Sequence, residues 1–134
     1  MADVVIDASI ASAWCFPDEQ TDYTKAVFQA VSSSAVAPRL WAYEVRNSVL
    51  MGLRRGRISK PDGAQFLFSL NELNVRLSEP ASYDDVFSLA QQHGLTVYDG
   101  AYLDLAIQEH VTIASLDGQL VRVAQRAGIQ IFQP

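Results

Sequence analysis

Short apolar runs alternate along the whole chain with segments whose apolar residues recur at helical spacing. Runs of β-branched and small apolar residues predict buried strands at 3–7, 35–37, 74–77, 111–114 and 129–132. Helical spacing, together with capping and stop residues, predicts helices at 10–14, 22–31, 40–55, 60–73, 82–93, 99–110 and 117–127. This alternation is typical of an α/β fold whose central, mainly parallel sheet is flanked by helices.

Length and composition indicate one folded domain. The 134 residues match the usual size of a domain, and 49% of them are apolar against 19% charged, so we expect a single domain over 1–134 with a sizeable core. No apolar run approaches the ~20 residues of a membrane span, and the N-terminus does not read as a signal peptide. We therefore expect a cytoplasmic protein without a membrane partner. The single cysteine, Cys15, lies in an apolar run and is expected to be a buried small hydrophobe.

The net charge of −5 argues against a protein that coats nucleic acid by bulk attraction. The charge is unevenly distributed, however, because Arg54, Arg55, Arg57 and Lys60 form a local basic patch between two predicted helices. Such a patch is compatible with a basic rim of the active site that contacts an RNA substrate. It is equally compatible with a solvated turn.

Four acidic residues, Asp7, Glu44, Asp99 and Asp117, stand where a predicted strand ends or a predicted helix begins. Asp7 and Asp117 follow strands, Asp99 begins a helix after the extended or loop-like segment 95–98, and Glu44 lies near a helix start. Ligands of open α/β sheets bind beyond the carboxyl ends of the strands. We therefore expect these distant carboxylates to converge at one end of the sheet.

Each acid alone has a simpler explanation. Asp7, Asp99 and Asp117 are good N-caps, and Glu44 is favourable near a helix N-terminus. Ser, Thr and Asn cap helices as well, so capping alone does not require an acid at every point. Clustered carboxylates repel one another unless a cation neutralises them, and oxygen ligands without Cys or His suit Mg²⁺ or Mn²⁺. A metal held there can activate water against a phosphodiester.

Neighbouring polar residues are candidates for supporting roles. Ser9 and Ser115 are placed to position a water or a phosphate, and Ser9 is also a candidate cap for the first helix. Asn47 lies one turn after Glu44 on the same helix face and could orient it. Asp104 lies roughly half a circuit round its helix from Asp99 and is expected to be solvated or structural.

Other chemistries lack their signatures. No Gly-x-Gly-x-x-Gly or Walker loop follows the first strand, and no serine sits in a Gly-x-Ser-x-Gly elbow. His93 and His110 stand near predicted helix ends without the spacing of a zinc site. A nucleotide-binding loop and a catalytic triad are therefore disfavoured.

Four segments carry a resemblance to PIN-domain ribonucleases, specifically the VapC toxins of toxin–antitoxin pairs. Val4 to Trp14 resembles the family's opening strand and helix, and the segment from Ala42 to Asn47 resembles its Glu-x-x-Asn helix. Leu95 to Tyr102 resembles its Tyr-Asp-x-x-Tyr signature, and Ile113 to Asp117 its strand-to-Asp ending. The match covers essentially the whole chain, in the family's order and spacing. Ser115 and Gly100 are mild departures, since the family commonly has Thr and Ala there.

The resemblance implies a PIN-domain-like three-layer α/β/α fold with Asp7, Glu44, Asp99 and Asp117 around one or two Mg²⁺ or Mn²⁺ ions. It also implies a homodimer that cleaves single-stranded RNA, usually tRNA or rRNA, and is inhibited by a cognate VapB-type antitoxin of type II systems.

An antitoxin would lay an apolar segment into a groove and bring a basic side chain to the carboxylates. The early helices, which carry Trp14, Phe16, Phe28 and Trp41, are the expected place, although the same aromatics are also typical of core. Two alternatives to a toxin stay open: a PIN-like RNA-processing nuclease without an antitoxin, and a non-catalytic α/β binding module whose acids only cap helices.

Overall fold

A four-stranded parallel sheet lies at the centre of the computed structural model, which describes residues 3–32 and 34–134. Its spatial order is β3-β2-β1-β4, with the strands β1 (Val4–Ile6), β2 (Ala35–Pro38), β3 (Val75–Ser78) and β4 (Thr112–Ala114). Val5 pairs with Val36 on one side and with Ile113 on the other. All residues of β1 and β2 are buried, as expected where helices cover both faces of a sheet.

Seven α-helices connect and cover these strands. They are α1 (Ala8–Cys15), α2 (Asp22–Val31), α3 (Leu40–Arg54), α4 (Lys60–Asn71), α5 (Tyr83–His93), α6 (Val97–Glu109) and α7 (Gly118–Arg126). A short 3₁₀ turn over Pro17–Glu19 separates the first two. The predicted α/β fold with a parallel sheet flanked by helices is confirmed. Within the described ranges, no helix is long and apolar enough to cross a membrane.

The core fixes the carboxyl ends of β1 and β4 side by side. Ile6, Ile10, Leu103 and Leu120 are fully buried in one apolar cluster that joins the sheet to α1, α6 and α7. The amide of Asp7 donates to the carbonyl of Ala114 at 3.3 Å, which extends the pairing of the two strands by one residue. Residues that follow these strands are therefore held on a rigid edge.

Helix α1 is capped by Asp7, so the prediction that Ser9 caps it is wrong. Asp7 has the extended backbone of an N-cap (φ −94°, ψ 175°), and its carboxylate accepts from the amide of Ile10. Ser9 already lies in the first helical turn. Ser9 therefore donates to the capping carboxylate of Asp7 and does not cap the helix itself.

Helix α6 begins two residues earlier than the sequence predicts. Thr96 is its N-cap and accepts from the amide of Asp99 at 3.1 Å, so the predicted capping role of Asp99 is wrong. Val97 and Tyr98, predicted as extended or loop-like, form the first helical residues. Both are exposed, so this turn lacks the buried apolar spacing by which helices are recognised.

The predicted strand over 129–132 is reduced to one bridge between Ile113 and Ile131. The amide of Ile129 donates to Ala124 in the last turn of α7 instead of to a strand. Gly128, with a φ of 84°, makes the turn that this bond closes. Only the residues around Ile131 are then free to pair with β4.

Gly100 lets α6 pack closely on α5. A Cβ at this position would lie 3.0 Å from the Cβ of Ala90 and 3.3 Å from the carbonyl oxygen of Val86. A methyl group here would press on α5, so Gly100 allows this close approach. It holds the first turn of α6, which carries Asp99, against its neighbour.

Cys15 is buried beside Phe16 and Val49, which confirms its prediction as a small core residue. Burial raises the pKa of its thiol, and the nearby guanidinium of Arg57 opposes that shift only in part. The thiol therefore stays protonated at neutral pH, as in an inert structural cysteine.

Candidate active site

Asp7 is the most buried of the four predicted acids, with 5% of its surface exposed. Its carboxylate accepts from the hydroxyl of Ser9 at 2.6 Å, from the hydroxyl of Ser115 and from the amide of Ile10. These donors come from α1 on one side and from the end of β4 on the other. The carboxylate is therefore held in one orientation by two neighbouring strand-to-helix junctions.

The two serines also accept hydrogen bonds. The amide of Leu116 donates to Ser9 Oγ and the amide of Asp117 donates to Ser115 Oγ, both at 2.9 Å. Each hydroxyl thus links Asp7 to the turn between β4 and α7. This geometry gives Ser9 and Ser115 a role in positioning Asp7, while contact with a water or phosphate stays a prediction.

Asp117 caps α7, as the sequence predicts. Its carboxylate accepts from the amides of Gln119 and Leu120 at 2.9 and 3.2 Å. Both bonds go to one carboxylate oxygen, Oδ1. Capping therefore leaves Oδ2 free for a further ligand.

Glu44 lies in the second turn of α3 and accepts from the phenol of Tyr102 at 2.6 Å. Tyr102 is 2% exposed and stands on α6, three residues after Asp99. It therefore ties the α3 acid to the helix that carries Asp99. Tyr102 was not among the predicted site residues, although the Tyr-Asp-x-x-Tyr pattern contains it.

The four carboxylates lie within electrostatic range of one another. Burial raises the pKa of Asp7, an effect that its hydrogen bonds oppose and that the charge of Asp117 reinforces. The pKa of Glu44 is raised by burial, lowered by the bond from Tyr102 and raised again by the charges of Asp7 and Asp99. Burial and the charge of Asp117 raise the pKa of Asp99. Each of the four acids is thus coupled to at least one other, while their convergence into one metal site stays a prediction.

No basic side chain within 3–32 and 34–134 pairs with any of these four acids. The ion pairs found there join Arg39, Arg57 and Arg76 to acids elsewhere. Across the same ranges, no three acidic, His or Cys side chains already form a ligand group. The donor set nevertheless fits a hard divalent cation, because it offers only oxygen atoms and its negative charge has no partner.

Two other predicted polar residues stand apart from this cluster. Asn47 is exposed on α3, and the hydrogen bond that Glu44 accepts comes from Tyr102. Asp104 is only 7% exposed, so the solvated alternative for it is wrong. Burial and the charge of Asp85 raise the pKa of Asp104, a hydrogen bond from Gln108 lowers it, and none of the four clustered acids is among these causes.

Both histidines end helices, as predicted. His93 is the last residue of α5, and His110 is the C-cap of α6 with a φ of 56°. Neither is among the causes that shift the pKa values of Asp7, Glu44 and Asp99. The site is therefore built from carboxylates and hydroxyls.

The early aromatics divide into core and surface. Phe16 and Trp41 are buried, so they cannot line a docking groove. The rings of Trp14 and Phe28 pack edge to face, with their centroids 5.2 Å apart. Both line a groove of about 320 Å³ between α1 and α2. The expected groove is thus confined to these two residues.

The predicted basic patch also divides. Arg57 forms salt bridges with Asp18 and Glu19, and its guanidinium lies 4.1 Å from the ring centroid of Phe16. It therefore fastens the turn after α1 to the turn after α3. Arg54 remains exposed at the end of α3, and Lys60 is exposed at the start of α4.

Comparison with known proteins relates this arrangement to a family. The family described as PIN domain matches residues 4–126. Ribonuclease VapC3 from Pyrobaculum aerophilum is 36% identical over 121 residues, 87% of this chain and 91% of that protein. The crystal structure of PAE2754 from the same organism has a TM-score of 0.72 at 21% identity, over 91% of this chain and 84% of that chain. The crystal structure of FitAcB from Neisseria gonorrhoeae has a TM-score of 0.65 at 18% identity, over 98% of this chain and 97% of that chain.

Proposed function

This chain belongs to the PIN-domain family and, within it, to the VapC ribonucleases, and from that premise we propose that it is the toxin of a type II toxin–antitoxin pair. It acts as a Mg²⁺- or Mn²⁺-dependent endoribonuclease in the cytoplasm. Its substrate is structured RNA, tRNA or rRNA, cut within a single-stranded region. Its inhibitor is a VapB-type antitoxin.

One observation supports this function above the others. Four carboxylates from four separate segments are electrostatically coupled to one another in pairs, and no cation of the described residues balances them. Capping accounts for only part of the set, because Asp7 and Asp117 cap helices while Glu44 and Asp99 do not. A non-catalytic module whose acids only cap helices would not need those two.

The residues divide into ligands and supports. Asp7, Glu44, Asp99 and Asp117 would hold the ion through their carboxylate oxygens. The chemistry that a divalent ion would supply there is a lower pKa for a water that attacks phosphorus and stabilisation of the charge that develops on the phosphate. Tyr102 positions Glu44 by the 2.6 Å hydrogen bond. A supporting role of Asn47 toward Glu44 stays a prediction.

An antitoxin would use two features of the surface. Its apolar segment lies in the groove of Trp14 and Phe28, which are exposed enough to be buried further. Its basic side chain enters the carboxylate cluster and competes there with the metal.

We also propose a homodimer. Tyr83 and Phe87 on α5 and Val97 and Tyr98 on α6 form neighbouring exposed apolar residues, between 48% and 72% exposed. Exposed apolar patches of this kind are typical of protein–protein contacts. Sedimentation of the purified chain measures its oligomeric state directly.

Cleavage of purified tRNA and rRNA, with Mg²⁺ or Mn²⁺ against EDTA, tests the activity. Discrete fragments that form only with a divalent ion are the expected result. An RNA-processing nuclease would give the same fragments but would not arrest growth when expressed. Arrest that is relieved by co-expression of a small neighbouring protein is specific to the toxin.

A further inference from the structure

The basic residues of this acidic chain are concentrated around α3. Residues 39–60 contain six of the ten Lys and Arg residues and only one of the fifteen Asp and Glu residues. That one acid is Glu44, which faces Tyr102 in the carboxylate cluster. The segment 39–60 therefore carries a net positive charge in a protein whose net charge is −5.

One face of α3 carries a regular series of exposed residues, which we name the α3 stripe: Arg39, Tyr43, Asn47, Leu50 and Arg54. At 100° per residue these positions fall within an arc of about 80°. The opposite face is buried and consists of Trp41, Val45, Val49 and Gly52. The stripe is thus the fully solvated side of an amphipathic helix.

Tyr43 is the central feature of the α3 stripe. It is 79% exposed, more than any other large apolar side chain in the described ranges. No aromatic pair there includes it. Its ring therefore offers two free faces to solvent, directly beside Glu44 in the sequence.

The stripe begins next to the acidic site and leads away from it. Glu44 directly follows Tyr43 in the sequence and lies about 60° round the helix from Asn47, the nearest residue of the stripe. From Tyr43 to Arg54 the helix rises roughly 16 Å. Arg39 forms a salt bridge with Glu79. Because the two side chains are 64% and 46% exposed, this surface ion pair is weak and can open to release Arg39.

We propose that the α3 stripe binds the single-stranded RNA on one side of the cleaved bond. Arg39 and Arg54 contact phosphates, and an unstacked base lies on the ring of Tyr43. Single-stranded RNA presents both groups together, whereas a duplex keeps its bases stacked inside. This inference rests on the proposed function, because it supplies the substrate contacts of that same site.

Charge and an exposed ring together select this occupant. Arginines that face a polyanion gain from counterion release, and a tyrosine among them adds a surface on which a base stacks. A second copy of this chain is also acidic, with a net charge of −5, but it offers no unstacked base to the ring of Tyr43, and a dimer that it formed through the stripe would be lost when the stripe is altered. Oligomeric state is therefore measured beside RNA affinity.

The test is fluorescence anisotropy with a short labelled RNA of mixed sequence, measured in EDTA so that the RNA stays intact. Tyr43→Ala should weaken binding about tenfold, while Tyr43→Phe should retain it, because a base stacks on either ring. Replacing Arg39 and Arg54 with Ala should lower the slope of log affinity against log salt by about 0.7 for each arginine.

Matched controls lie on other helices. Phe68→Ala removes an aromatic ring that is 63% exposed on α4, and Arg126→Ala removes an exposed arginine at the end of α7. Both should bind RNA as the unmodified protein does. Circular dichroism checks that every variant is folded.

Unchanged RNA affinity and salt slope in the folded stripe variants would overturn the inference, and so would conversion of a dimer into a monomer by Tyr43→Ala. Cleavage by the unmodified protein in Mg²⁺ is recorded separately. Cleavage with no effect of the stripe on binding defeats only this inference. Stripe-dependent binding without any cleavage defeats only the proposed activity.

Discussion

At the scale of single residues, the hydroxyl of Tyr102 decides how Glu44 is presented. The phenol is buried, and its bond to Glu44 opposes the rise in the Glu44 pKa that burial causes. A hydrogen bond that stabilises the charged form lowers a carboxyl pKa. Tyr102 thus keeps a partly buried acid available as an anionic ligand.

Tyr102→Phe should raise the pKa of Glu44, because it removes the one effect that lowers it. Glu44 then loses its proton only at higher pH, so the acidic limb of the pH profile of kcat/KM moves to higher pH. A hydrogen bond to a charged group is worth about 1.5–3 kcal/mol, so cleavage should fall at least tenfold below that limb.

Tyr83→Phe is the matched control, because Tyr83 also donates to a glutamate, Glu79, which is not one of the four clustered acids. It should leave the pH profile unchanged. A profile that is the same for Tyr102→Phe and the unmodified protein would remove Tyr102 from the mechanism.

Single residues were predictable where chemistry marks them. Carboxylates that recur at strand ends are visible in a sequence, so Asp7 and Asp117 were placed correctly. A buried tyrosine such as Tyr102 reads as core, and its bond to an acid 58 positions away depends on packing. Asp104 was judged by helical phase alone, which does not reveal that α5 covers it.

At the scale of elements, the caps at helix starts position the acids. Thr96 caps α6 through the amide of Asp99, and this bond fixes the first turn from which Asp99 reaches the cluster. Ser82 caps the neighbouring helix α5 in the same way, through the amide of Asp85. Of the two caps, only the first bonds to a residue of the site.

Thr96→Ala should therefore cost about 1 kcal/mol of unfolding free energy and also reduce cleavage, because the turn that holds Asp99 loosens. Ser82→Ala should cost a similar amount and leave cleavage unchanged. Urea denaturation and initial rates of RNA cleavage measure the two effects. Equal cleavage by both variants would show that the cap of α6 does not position Asp99.

Elements with buried apolar spacing and clear stop signals were predicted well, as α3, α4 and α5 show. The start of α6 was missed because Val97 and Tyr98 are exposed. The segment 129–132 has the composition of a strand, but its first amide closes the end of α7. Such competition between neighbouring hydrogen bonds is decided by tertiary geometry.

At the scale of the whole molecule, the acidic cluster lowers the folding stability at neutral pH, while the same carboxylates can bind a cation. The pKa values of Asp7, Glu44 and Asp99 are raised in the folded protein. Groups of this kind contribute stability below their unfolded pKa of about 4, and that stability is lost as pH rises through the folded pKa. At neutral pH the metal-free cluster therefore opposes folding.

Mg²⁺ should raise the Tm at neutral pH, by an amount equivalent to about 2.7 kcal/mol when its concentration is a hundredfold above Kd. The rise in Tm caused by Mg²⁺ should disappear near pH 4, where protons compete with the ion for the same carboxylates. Thermal unfolding monitored by circular dichroism measures both, with NaCl at matched ionic strength as the control. An equal increment from NaCl would mean general screening instead of a site.

The measurement that tests the central claim most directly is Mg²⁺-dependent cleavage of tRNA and rRNA by Asp7→Asn beside Asp104→Asn. Both variants replace a buried aspartate by its isostere, but only Asp7 belongs to the cluster. We expect Asp7→Asn to be folded and inactive and Asp104→Asn to cleave as the unmodified protein does. Full activity in Asp7→Asn would contradict the assignment of these carboxylates as the catalytic metal site.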